Sequence, residues 1–159
     1  MIIKSLELAD FRNYENLKID FSSGTNILYG DNAQGKTNIL EAIFVSATTK
    51  SHKGSKDKEI IRFGKEEAHV RTILERDNAE YRIDMHLRKN KSKGIAIDGQ
   101  KIKRASDLIG KLNVVFFSPE DLSIPCPTSI SLAVTLRSGS ITPLQLKGPS
   151  FGCSSQSPP

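Results

Sequence analysis

Tryptophan is absent from this chain of 159 residues, cysteine and methionine occur twice each, and aromatic residues make up only 6%. The two cysteines, Cys126 and Cys153, stand apart with no Cys-x-x-Cys pair, which argues against a disulfide framework, a zinc ribbon and a dithiol redox motif. His52, His69 and His86 show no metal-ligand spacing along the chain. The longest unbroken apolar stretches, Ala42 to Val45 and Val114 to Phe117, are four residues long, where a membrane helix takes about 20. No membrane partner is expected. Lys4, Glu7 and Asp10 interrupt the N-terminus, leaving no apolar core for a signal peptide, so a cytoplasmic location is expected.

Charge is missing from one end. All 18 acidic residues and 21 of the 23 basic ones fall within residues 1–124, and beyond them only Arg137 and Lys147 are charged. The same last 35 residues hold six of the seven prolines, both cysteines and eight serines. Such a segment buries too little apolar surface to offset its ordering entropy. The chain therefore divides into a patterned body, 1–124, and a Pro/Ser-rich tail, 125–159, expected to be disordered. A rival for the tail is a short strand over 130–136, where Ile130, Leu132, Val134 and Leu136 alternate with smaller or polar residues. The net charge of +5 favours a polyanionic partner only weakly.

Within the body, Ile2 to Leu8 and the alternating Leu17, Ile19 and Phe21 predict two strands joined near Asn13. Ser22-Ser23-Gly24 predicts a turn. Ile27-Leu28-Tyr29 reads as a buried strand running into Gly30, and Ile39, Leu40, Ile43, Phe44 and Ala47 mark one face of a helix from Thr37. Residues 49–66 read as a polar connector. Strands are expected over 68–74 and 81–87, joined by Asp77-Asn78, and a hairpin at Asp98-Gly99. A short helix around Ala105 to Ile109 and a buried strand over Val114 to Phe117 complete the body. Ser118-Pro119-Glu120-Asp121 looks like a helix start, with serine as cap and carboxylates over the positive end of the dipole.

The chemistry concentrates in Gly30-Asp31-Asn32-Ala33-Gln34-Gly35-Lys36-Thr37, which fits G-x-x-x-x-G-K-[ST] at every fixed position. Chance would produce such a match in a chain of this length roughly once in two hundred times. Gly30 and Gly35 allow consecutive amides to wrap a phosphate, and the following helix adds its N-terminal donors. Lys36 offers a point charge to the β and γ phosphates. Thr37 offers a hydroxyl oxygen to Mg²⁺. ATP and Mg²⁺ are the expected cofactors, with residues 30–37 as the nucleotide site and Thr37 as metal ligand. No catalytic residue is assigned: Glu120 and Asp121 come late after the 114–117 stretch and read better as capping acids than as a second metal-holding carboxylate.

Phe11-Arg12-Asn13-Tyr14, the loop and helix from Asp31 to Ile43, Lys50-Ser51-His52, and Phe117-Ser118-Pro119-Glu120-Asp121-Leu122 together resemble the N-terminal part of the bacterial RecF family, over residues 1–124. The resemblance implies an α/β P-loop NTPase fold, the first lobe of an ABC/SMC-type ATPase head with a mixed parallel and antiparallel sheet. It also implies ATP binding, ATP-dependent homodimerisation, binding of single- and double-stranded DNA at gaps, action with RecO and RecR to load RecA, and a part in repair, replication and the SOS response. On that resemblance Arg12 and Asn13 lie near the nucleotide, although by themselves they fit an ordinary strand-connecting turn. The family continues into a long helical region carrying the signature segment and the Walker B acid. Here Pro125 and the serine-rich tail stand instead, which suggests a truncated or frameshifted product without the second, helical lobe.

Arg88, Lys89, Lys91 and Lys93 place four cations in six residues, and Lys101, Lys103 and Arg104 follow the next hairpin. They read either as a phosphate-backbone contact or as a solvated loop tip. Three functions remain open on sequence: an ATP-controlled DNA-binding module of recombinational repair with at most weak ATPase activity, a P-loop phosphotransferase or kinase, and an inactive fragment. Two strands before the glycine loop and hairpins after it favour the first, because a kinase continues in parallel βαβ units.

Overall fold

Strict alternation makes β3 (Glu67–Arg76) and β4 (Ala79–Arg88) a hairpin with one wet and one dry face. Ala68, Val70, Thr72 and Leu74 are buried on one strand, and Ile83, Met85 and Leu87 on the other. The two-residue connection Asp77-Asn78 has φ of 54° and 62°, the left-handed pair that a right-twisted hairpin needs. Asp98-Gly99, at 51° and 80°, repeats the device between β5 (Gly94–Ile97) and β6 (Gln100–Lys101).

These strands join β1 (Ile2–Phe11) and β2 (Tyr14–Asp20) in one six-stranded sheet of order β2-β1-β3-β4-β5-β6. The coordinates come from a computed structural model, which describes residues 1–29 and 35–116. Along β1 the register against β3 slips between Ile3 and Ser5. This bulge changes the phase of the alternation, so Ser5 and Leu6 are both buried in succession. Without it, Leu6 and Leu8 would face solvent.

Helix α1 (Lys36–Thr48) lies on the dry face against β3 and β4. Ile39, Ala42, Ile43, Val45 and Ala47 join Leu6, Leu8, Phe11 and the inward residues of β3 and β4 in one core. Ser46 is buried without loss because its hydroxyl meets Thr72 Oγ1 at 2.8 Å and donates to the Ala42 carbonyl. Beyond α1, a single turn, α2 (Asp57–Ile60), delivers Ile60 and Ile61 to the same core. Backbone bonds from Arg12 N to Ile60 O and from Arg62 N to Asp10 O fasten this segment to the end of β1. The expected polar connector therefore hides a small packed element.

The structure departs from the sequence reading in four further places. Every strand pairing among the described residues is antiparallel, not mixed. Ile27-Leu28-Tyr29 forms no strand: Ile27 is 70% and Tyr29 90% exposed, with only Leu28 packed against the core. A fully buried strand needs a ladder partner, and none of the described strands runs beside these residues. The 114–116 stretch likewise forms no named strand, Val115 being half exposed, while Leu108 and Leu112 are the buried residues of this region. The short helix expected near Ala105 is a 3₁₀ turn, Ala105–Asp107. Phe117, the Ser118 helix start, Glu120 and Asp121, and the tail from 125 lie outside the described residues.

Candidate nucleotide site

Helix α1 begins without a side-chain cap. Gly35 occupies the N-cap position at φ 94°, in the left-handed region, and no acidic residue stands in the first turn. The amides at this end and the positive end of the helix dipole are thus left to whatever anion approaches. Lys36 is half-buried and Thr37 exposed at the same end, which puts a cationic side chain and a hydroxyl beside the helix start. Of the expected nucleotide residues, Gly35, Lys36 and Thr37 lie at the start of α1. Gly30, Asp31, Asn32, Ala33 and Gln34 lie outside the described residues.

The β1–β2 turn closes over this end of the helix. A Cβ on Gly35 would sit 2.7 Å from Asn13 Nδ2, 2.7 Å from Tyr14 Oη and 2.8 Å from Asn13 Oδ1. Asn38, one turn into α1, donates from Nδ2 to Asn13 Oδ1 at 2.8 Å. Burial pushes the Tyr14 hydroxyl pKa up, further above the neutral range in which an ordinary tyrosine is already protonated. Gly35→Ala therefore meets both a positive φ and a wall of polar side chains. We expect it to cost about 1–3 kcal/mol, measured by urea unfolding without nucleotide; a variant as stable as the parent would contradict the contact.

Arg12 and Asn13, neighbours in sequence, do different things. Asn13 turns to the glycine loop, whereas the Arg12 guanidinium, set by a φ of 53°, turns to Glu41 on α1. Nε and Nη2 bond Glu41 Oε2 and Oε1 at 2.9 and 2.7 Å, a bidentate pair. Arg12 also donates to Ser55 Oγ and to the Glu59 carbonyl. Glu41 is fully buried and accepts a further, short bond from the Ser51 hydroxyl. Burial alone would push its carboxyl pKa up, but the bonds from Arg12 and Ser51 and the charges of Arg12 and Lys53 outweigh that and hold it below the usual carboxylate range. One buried acid thus ties the β1–β2 turn, α1 and the 51–59 segment together. Sequence reading missed it. The available signal was a glutamate between Leu40 and Ala42, within the apolar stretch of an amphipathic helix.

Beside the turn opens a cleft of about 910 Å³ whose lining includes Asn13, Asn38, Lys53, Lys58, Arg62 and Lys65. Fully exposed Phe63 stands in its wall. Arg62 and Lys65 are partly neutralised by Asp10 and Glu15; no ion pair is formed by Lys53 or Lys58 among the described residues. The basic loop is less free than its sequence suggests. Lys93 is an anchor, its ammonium bonded to Asp57 Oδ1 at 2.9 Å and to the Thr49 carbonyl. Arg88 is half-buried against His86, and Lys89 pairs with Glu66 at 3.0 Å. Lys91 alone of the four is both exposed and without an ion pair among the described residues.

A family model described as AAA domain matches residues 5–122. Over 124 residues, 78% of the chain, identity is 71% to the DNA replication and repair protein RecF of Lachnoclostridium phytofermentans and 52% to that of Clostridium acetobutylicum. These stretches are 34% of each relative, so the chain spans about a third of the length of the curated relatives it matches. Among solved structures, the recombination mediator protein RecF with ATP, from the RecFOR pathway, superposes with a TM-score of 0.71 at 38% identity, covering 75% of this chain and 33% of that one. The SMC head domain from Thermotoga maritima shares the fold, with a TM-score of 0.61 at 22% identity over 71% of this chain and 43% of the other. No helix among the described residues is long and apolar enough to cross a membrane.

Proposed function

This chain belongs to the AAA domain family and is built as the N-terminal part of a RecF-type ATPase head, and from that premise we propose that it binds Mg-ATP and uses it to control DNA binding in recombinational repair and replication. The observation that carries the reading is the glycine-lysine-threonine end of the loop on an uncapped, acid-free helix terminus. Residues 30–37 hold the phosphates: the amides of the loop and of the first turn of α1 receive the oxygens, and Lys36 neutralises charge between the β and γ groups. The exposed Thr37 hydroxyl at the uncapped start of α1 fits a phosphate-bound Mg²⁺. Held there by Thr37, the ion would supply positive charge against the phosphates. Asn13 and Tyr14 flank Gly35 from the side.

ATP serves as a switch between partners in this reading. The family's homodimer, its contacts with RecO and RecR, its action on RecA at single- and double-stranded DNA gaps and its role in the SOS response are carried over as parts of the same proposal, in the cytoplasm. A phosphotransferase reading has less behind it, because the sheet after the helix is built from hairpins rather than parallel βαβ units. Titrating Mg-ATP against the chain tests the site: saturable binding is expected, and none would sink the assignment.

DNA contact is testable separately. Lys93 is excluded from a charge test because neutralising it would break the Asp57 anchor. Replacing Lys89 and Lys91 with alanine should lower the slope of log affinity against log salt by about 1–2 for duplex DNA, since each phosphate contact contributes roughly 0.9. An unchanged slope removes this loop from the interface.

A further inference from the structure

On the wet face of the sheet, away from the nucleotide helix, the register brings together three side chains that the linear sequence keeps apart. His69 on β3 lies directly opposite His86 on β4, their rings stacked with centroids 4.0 Å apart and planes 22° from parallel. Glu67, two residues before His69 and so on the same face, places Oε2 at 2.6 Å from His86 Nε2. One ligand atom from each of the three lies within 4.8 Å of the others. The neighbours in the same row are the smallest available: Ala9 of β1 pairs with His69, and Gly94 of β5 pairs with His86. The two imidazoles consequently stand on the floor of an open trough of about 720 Å³ that Ala9, His69, His86 and Gly94 help to line.

We propose that Glu67, His69 and His86 form a binding site for a borderline transition-metal dication of the zinc type. Two imidazole nitrogens and one carboxylate oxygen are the donor set that Zn²⁺, Co²⁺, Ni²⁺ and Cu²⁺ favour, while Mg²⁺ and Ca²⁺ take oxygen ligands. Donor atoms already within 4.8 Å need only side-chain rotation to approach the roughly 2.0–2.2 Å metal–ligand distances of such ions. Three protein ligands leave a fourth position facing the trough, open to water or an outside ligand. A dication held there clips β3 to β4 on the face that carries no helix among the described residues.

The surrounding charges set what loading requires. Arg71 is held by Asp84 at 2.6 Å and by Glu7. Arg88 is different: its Nη2 stands 3.3 Å from His86 Nδ1 and, being a guanidinium nitrogen, can only donate there. When His86 gives Nε2 to a metal, its proton sits on Nδ1 and the two donors face each other. Arg88 must then swing away, so it opposes loading, and removing it should tighten the site.

The test is a Co²⁺ titration of the untagged full chain without nucleotide, followed by visible absorption, with Zn²⁺ as competitor. One Co²⁺ per chain is expected, displaced by Zn²⁺. His69→Gln and His86→Gln should each weaken binding by about 10-fold or more, and Arg88→Leu should strengthen it. In the unmodified chain, the imidazole NMR signals of His69 and His86 should shift with Zn²⁺ while His52 does not, a readout that needs no variant to fold. Absence of binding, binding unchanged in both histidine variants and so located on Cys126, Cys153 or the glycine loop, or ring shifts confined to His52 would each overturn the proposal.

Discussion

Lys36→Ala is expected to weaken Mg-ATP binding by about 10- to 100-fold while leaving the nucleotide-free protein close to its original stability. Hydrogen bonds to charged groups contribute about 1.5–3 kcal/mol, and 1.4 kcal/mol is tenfold in affinity. Lys36 sits at the first turn of α1, half-buried and outside the apolar core, so its loss should be felt by phosphates more than by packing. Two measurements separate these effects. Calorimetric titration reads the affinity, and thermal unfolding with and without nucleotide reads the linkage: at a ligand concentration of 100 times Kd the parent gains about 2.7 kcal/mol, of which the variant should forfeit about half or more at that same concentration. Equal affinities for the two proteins would remove Lys36, and with it the phosphate assignment.

Arg12→Ala should be the more damaging change to the fold. Its ion pair with Glu41 is closed on the carboxylate side, Glu41 being fully buried and the arginine side chain 20% exposed. Removing one partner of a buried pair leaves an uncompensated charge, at a cost of about 3–5 kcal/mol, a large fraction of the 5–15 kcal/mol typical of a domain. The pH dependence gives the sign. In the parent, the Glu41 carboxyl is held below its ordinary range, so its contribution is present above the unfolded-state pKa and is lost as pH falls through the lower folded-state value. In Arg12→Ala the arginine's hydrogen bonds and charge are gone, leaving only Ser51 and Lys53 to oppose burial, the largest single influence on this carboxyl. The folded-state carboxyl pKa of the variant should therefore rise relative to the parent's, and the variant should lose less stability than the parent on acidification. Denaturant unfolding between mildly acidic and neutral pH would show it; parallel profiles would mean that Glu41 finds another partner. Arg12→Met with Glu41→Leu, which removes both charges, should recover much of the loss.

Local chemistry made much of this molecule readable. Asp77-Asn78 and Asp98-Gly99 each name their own turn, the alternation on either side names the strands, and the glycine-lysine-threonine run names the helix start. What stayed hidden depended on partners far along the chain. Glu41 looks like any surface glutamate until Arg12 and Ser51 are brought to it. Ile27 to Tyr29 has a strand's composition, but composition cannot say whether a neighbouring strand exists to receive its backbone. Lys93 reads as one more cation in a basic run, and only Asp57, well upstream, turns it into an anchor. His69 and His86 lack any ligand spacing in sequence because antiparallel register, not interval, makes them neighbours.

The pairing of β1 with β3 has a consequence for the order in which the chain assembles. Hairpin β3–β4 closes across two residues and can form on the microsecond scale of isolated hairpins. The β1–β3 ladder instead encloses β2, the glycine loop, α1 and α2 in one long ring, whose closure entropy must be met before the ladder rewards it. Helix α1 thus lies inside a ring closed by non-local contacts, and its docking is expected to follow the closure of that ring.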